Sequence, residues 1–130
     1  NIPIAGSNSV GIGFEALSGN TGGRNVALGH RALASSTSGF VNVGLGAGAL
    51  QFNTSGSSNT AVGGDALLLN NVGSVNTAIG FDALRLNTEG SFNVGIGALA
   101  LRSNGLGLKN TAVGSYALTQ NRSGELNTAM

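Results

Sequence analysis

A glycine preceded by a branched aliphatic residue recurs at Gly13, Gly29, Gly46, Gly63, Gly80, Gly97 and Gly114, at intervals of 16 and then five times 17 residues. Ala-Leu follows each one three and four residues on, from Ala16-Leu17 to Ala117-Leu118. Asn follows each Leu by three residues at Asn20, Asn53, Asn70, Asn87, Asn104 and Asn121, with Ser36 as the one substitute. A second glycine lies three residues further on in every copy, from Gly23 to Gly124, and a second set of Asn opens each copy from Asn25 to Asn127. The unit reads N-T/V-A/G-V/I/L-G-x-x-A-L-x-x-N-x-x-G-x-x. Repetition of this kind is the signature of a solenoid, in which each unit buries its apolar face only against its neighbours.

The length of the unit selects the kind of solenoid. Helical repeats need 33 residues or more, and a glycine inside a helix costs about 1 kcal/mol relative to Ala. Seventeen residues suit one β-coil of two short strands and two turns. The first strand is expected over N-T-A-V-G, as in Asn59-Thr60-Ala61-Val62-Gly63, and the second around Ala66-Leu67. The turns fall at the x-x after the first glycine and at N-x-x-G-x-x, where Asn and Gly tolerate positive φ. The fold class is therefore all-β, a parallel β-solenoid (β-roll) of about seven coils. A lead-in is expected over residues 1–8 and the array over 9–130. Because Asn127-Thr128-Ala129-Met130 opens an eighth unit, the array is expected to continue beyond the C-terminus.

Composition removes several functions. Charged residues make up 8% of the chain, and six Lys/Arg nearly cancel five Asp/Glu, so no basic patch for nucleic acid is expected. Low charge and 23 glycines would also fit a disordered chain, but the periodicity argues against that. The absence of cysteine excludes disulfides and thiolate metal sites. No apolar run approaches the ~18 residues of a membrane span, and Asn1-Ile2-Pro3-Ile4 carries no signal-peptide pattern.

In stacked coils each position becomes a ladder of like residues about 4.8 Å apart. The column Ile12, Leu28, Leu45, Val62, Ile79, Ile96 and Val113 is expected inside, together with Leu17, Leu33, Leu50, Leu67, Leu84, Leu101 and Leu118. The intervening column, Gly11, Ala27, Gly44, Ala61, Ala78, Gly95 and Ala112, is small in every copy. Alternation places it on the opposite face, where small residues would let a partner backbone approach. The Asn ladders are read as structural, bonding the next rung and the turn backbone. Phe52, Leu69 and Leu86, and Val41, Val75, Phe92 and Leu126, either face partner chains or extend the core at the second corner. A 17-residue coil encloses few apolar side chains, so association of chains is expected to add burial.

The N-T-A-V/I-G-x-x-A-L motif resembles the N-S-V-A-I-G-x-x-A/S unit in the head of YadA-like trimeric adhesins, and more closely the repeat arrays of phage tail fibres and related surface adhesins. The resemblance covers about Ser9 to Met130. It implies a left-handed roll assembled as a homotrimer around a common axis, in an extracellular, cell-surface or virion setting. The period of 17 and the residue missing before Asn25 depart from the adhesin head. The function expected is a structural shaft or head segment of a trimeric fibre.

Chemistry-bearing residues are sparse. His30 stands alone beside Arg31, so no catalytic triad can be assembled and no enzyme is expected. Asp65 and Asp82 share a column with Glu15 and are read as solvated turn residues and not as a cation site. Gly11-Ile12-Gly13 lacks the G-K-[ST] of a phosphate loop. No cofactor or metal is expected. Two alternatives remain. An adhesin head would recognise a cell-surface glycan or receptor through Phe14, His30, Phe81 and Tyr116, whose rings share a corner and can stack on sugars. Ice binding would use the Thr column (Thr60, Thr77, Thr111, Thr128), which Val26, Val43 and Val94 interrupt.

Overall fold

The computed structural model describes residues 8–130. The lead-in therefore lies, apart from Asn8, outside the described residues. The chain forms one parallel eight-stranded sheet whose strands follow in chain order: β1 (Val10–Ile12), β2 (Val26–Leu28), β3 (Val43–Leu45), β4 (Thr60–Val62), β5 (Thr77–Ile79), β6 (Val94–Ile96), β7 (Thr111–Val113) and β8 (Thr128–Ala129). Each strand stacks in register on the next, as in Val43 on Thr60, Gly44 on Ala61 and Leu45 on Val62. The fold is a β-solenoid of about seven turns, in agreement with the period.

Each coil contains one strand where two were expected. The segment around Ala66-Leu67 is a run of tight turns, in which the Ala66 N–H donates to Gly63 O (3.4 Å), Leu68 to Asp65 O (3.2 Å) and Asn70 to Leu67 O (3.1 Å). Asp65 and Leu67 have φ of 55° and 52°, the positive third-residue value that marks type II turns. The run still stacks, because alternate N–H groups point along the rod: Leu67 donates to Ala83 O and Leu69 to Arg85 O, both at 3.0 Å. A left-handed conformation at a non-glycine residue costs about 1–2 kcal/mol. The Leu column adopts it in all seven copies, with φ between 50° and 57°. Full burial of Leu33, Leu50, Leu67, Leu84 and Leu101 holds it there.

The first glycine column needs no such compensation. Gly63 has φ 133°, and a Cβ added there would lie 2.6 Å from the carbonyl oxygen of Gly80 on the next coil. The rungs are too close at this corner for any side chain. The short first coil loses its residue between Asn20 and Gly22. Asn20 Nδ2 donates to Gly22 O at 2.8 Å, as Asn53 Nδ2 does to Gly56 O, so Gly22 and not Gly23 stacks with the second glycine column.

The core corrects the expected placement of two columns. Ala27, Ala61, Ala78 and Ala112 are buried, as are Gly44 and Gly95, while Gly11 is half-buried. The branched column faces out: Ile12 is 60% exposed, Leu28, Ile79, Ile96 and Val113 are also exposed, and Leu45 and Val62 are half-buried. Interior width decides this. A Cβ at Gly44 would already lie 3.2 Å from Ala49 O and 3.5 Å from Leu33 Cδ1, so the space facing the Leu column takes a methyl and nothing larger. Leu17 through Leu101 are interior as expected, and Leu118 is partly so.

Asn amides fill the rest of the interior beside the Ala and Leu columns. Asn42 and Asn53 both donate Nδ2 to Gly56 O, at 2.9 and 2.8 Å, bracing the coil across its width. The same pair of bonds recurs at Gly73, Gly90, Gly107 and Gly124. Between coils, the Asn59 N–H donates to Asn42 Oδ1 (2.9 Å) and Asn70 Nδ2 to Asn53 Oδ1 (2.7 Å). Buried polar groups call for partners, and along each ladder most Asn residues partner their own copies on the neighbouring rung, whereas Ser36, at the one break in the second ladder, has none.

Candidate functional site

Period-two geometry sends the second and fourth residues of each coil outward together. The outer face of the sheet therefore carries Val10, Val26, Val43, Thr60, Thr77, Val94, Thr111 and Thr128 beside Ile12, Leu28, Leu45, Val62, Ile79, Ile96 and Val113. No residue in either column is charged. Seven rung spacings of about 4.8 Å and strands of three residues make the face about 34 Å long and about 10 Å wide. That is on the order of 300 Å² in projection, the size at which an exposed apolar patch marks an interaction surface. The Ala/Gly column, expected to receive a partner, lies inside the coil and cannot touch one.

Further apolar residues lie off the sheet. Val41, Val75, Phe92 and Leu126 are exposed just before the first Asn of the following coil, each with φ between 57° and 60°. Phe52 is exposed, and Leu69 and Leu86 are half-buried, on the turn run. Both groups thus sit at the surface and do not extend the core.

Of the four aromatic positions proposed for recognition, two meet: the Phe14 and His30 rings stack at 5.7 Å with planes 9° apart. Phe81 is three coils beyond His30, and Tyr116 is two coils further and one position along the turn. All four are exposed. Beside the first pair, Arg31 bonds Glu15.

The acidic column is not simply solvated. Asp82 is 8% exposed, with Oδ1 3.3 Å from Arg85 Nε and Oδ2 3.4 Å from Arg102 Nε. Asp65 reaches Arg85 Nε at 3.8 Å. Arg85 and Arg102 occupy one column three residues after the acids, a pairing visible only once the coils are stacked. Among the described residues no cluster of His, Cys, Asp and Glu could hold a metal ion, and no helix is long and apolar enough to cross a membrane. No protein-family model matches the chain, and neither the curated proteins nor the solved structures yield a match.

Proposed function

We propose that this chain is a structural segment of a homotrimeric extracellular fibre, of the phage tail-fibre or bacterial surface-adhesin kind, that serves attachment without catalysis. The observation that carries the reading is the uncharged outer face of the sheet, a strip of Val, Thr, Ile and Leu running along the stacked strands. Three left-handed rolls side by side around a common axis would cover it. Such a contact is heterologous, so each chain must supply two different surfaces, whereas a two-fold dimer would need only one. The stripes at Val41, Val75, Phe92 and Leu126, and at Phe52, Leu69 and Leu86, provide apolar surface away from the sheet face. The rung-to-rung bonds through both backbone and Asn amides suit a stiff shaft.

Mass in solution tests this. Sedimentation equilibrium is expected to give three chains, and Ile79→Lys to give one chain with an unchanged circular dichroism spectrum. A monomeric wild-type protein would overturn the reading. A monomer that also showed thermal hysteresis would replace it with ice binding through the same face, where Thr60, Thr77, Thr111 and Thr128 present hydroxyls.

A further inference from the structure

The structure assigns Asn104 as a self-modification site: an amide that the fold keeps intact and that converts to aspartate or isoaspartate when the rod opens around it. Asn104-Gly105 is the one Asn-Gly pair in the chain, and every other Asn precedes a residue with a side chain, most often Thr or Val. A side chain there crowds the following nitrogen, whereas glycine leaves it free to approach the Asn carboxamide. In the reaction the Gly105 nitrogen gives its proton to solvent base and bonds to Cγ of Asn104. The Cγ–Nδ2 bond breaks, and Nδ2 leaves as ammonia with a proton from water. Water then opens the cyclic imide at either carbonyl, giving aspartate or isoaspartate.

The ladder withholds the carboxamide. Asn104 is fully buried. Its Nδ2, the leaving group, donates to Asn87 Oδ1 at 2.9 Å and to Gly107 O at 3.0 Å. Its Oδ1 accepts from Asn121 Nδ2 at 2.8 Å and from Asn110 Nδ2 at 3.2 Å. Cyclisation takes the amide out of all four bonds, so the coil must first open locally. The attacking nitrogen is held less. In the three coils before it, both residues after the Asn donate to one carbonyl of the next rung: Thr54 and Ser55 to Asn71 O, Asn71 and Val72 to Thr88 O, Thr88 and Glu89 to Gly105 O. In the coil of Asn104, Leu106 alone makes this bond, to Arg122 O at 3.1 Å, and Gly105 turns left-handed with φ 49°. The Gly105 N–H therefore stands outside the inter-rung bonding that fixes its counterparts.

The product does not fit the ladder. An ionised carboxylate only accepts hydrogen bonds, and at this position it would face Asn87 Oδ1 and Gly107 O, two further acceptors, away from water. Isoaspartate also adds a methylene to the main chain and puts the turn out of step with its neighbours. Each opening at this rung that runs to reaction is thus kept as a permanent break in the ladder.

Peptide mapping by mass spectrometry tests this, on the intact chain held at mildly alkaline pH in native buffer and in urea. In urea Asn104 is expected to convert first among the asparagines, and in native buffer at least about tenfold more slowly. Equal rates in the two conditions, or another Asn ahead of Asn104 in urea, would overturn the proposal. Asn104→Asp, which installs the aspartate product directly, should fail to fold or melt well below Asn71→Asp, where the changed amide is exposed. Equal melting of the two variants would also overturn it.

Discussion

Ser36 interrupts the amide ladder, and restoring it should stabilise the solenoid. At every other rung the equivalent Asn uses both ends of its amide. Asn70 donates to Gly73 O at 2.8 Å and to Asn53 Oδ1 at 2.7 Å, and its own Oδ1 accepts from Asn87 at 2.8 Å. Ser36 is 0% exposed, and its Oγ has no hydrogen-bond partner. The amides of Asn53 and Asn42 converge on this gap, with Nδ2 atoms 2.8 and 3.0 Å from where a Cβ on Gly39 would stand. Asn at position 36 would donate to Gly39 O and Asn20 Oδ1 and accept from Asn42 and Asn53. Each bond contributes about 1 kcal/mol net, and relief of the orphaned hydroxyl adds about 1 kcal/mol or more. Ordering the longer side chain costs about 1 kcal/mol. Ser36→Asn should therefore stabilise the fold by roughly 4 kcal/mol, a rise on the order of 15 °C in melting temperature for a chain of this size. Asn70→Ser, which opens a second gap, should lose a comparable amount. Thermal melts followed by circular dichroism read both variants. If Ser36→Asn melts at or below wild type while Asn70→Ser is neutral, the amide ladder does not hold the coils together.

Gly63→Ala should cost more than about 3 kcal/mol, because it adds a Cβ 2.6 Å from Gly80 O at a φ of 133°; chemical denaturation would reveal the loss as an earlier midpoint. Lys109→Asn should gain about 1 kcal/mol, since Lys109 is exposed at φ 54° and Asn accepts the left-handed region more readily; a lower melting temperature would contradict the conformational reading. Replacing Glu15 by Gln should change stability by less than about 1 kcal/mol, since both partners of its bond to Arg31 are more than a third exposed. Asp82→Asn should cost more than that exchange, because its buried carboxylate serves both Arg85 and Arg102; equal melting of the two variants would contradict the difference assigned to burial.

The period alone made the architecture legible. Seventeen residues, glycine at a fixed corner and Asn at two fixed positions admit a stacked β-coil and exclude helical repeats. What the period left open was which side of the strand faces inward, because a column that is always Ala or Gly and one that is always Val, Ile or Leu both suit a packed surface. Hydrophobicity favours burying the larger residues, but the deciding quantity is the width of the coil, and that is fixed by the Leu column opposite. Leu33 Cδ1 comes so close to Gly44 that only a methyl fits between them. A parity argument was available in the residues: Asn42 and Gly44 are two apart and so share a face. Once the Asn ladder is understood as interior bracing and not as a turn device, Ala and Gly must be interior with it.

The turn run was less legible for a different reason. Leu is a poor residue for positive φ, so nothing local at Leu67 signals the turn that it makes. The conformation is imposed by stacking, through the Leu67 N–H to Ala83 O bond and full burial of the side chain. The pairing of Asp82 with Arg85 and Arg102 likewise exists only between columns. Inversion of the two faces also changes what an oligomer must do. With the small column inside, the partner chains of the proposed fibre would meet a strip of Val, Thr, Ile and Leu, so their association is expected to be driven by apolar burial. Strengthening with temperature up to the unfolding range would then distinguish it from close backbone packing between Ala and Gly columns, which buries little apolar side-chain surface.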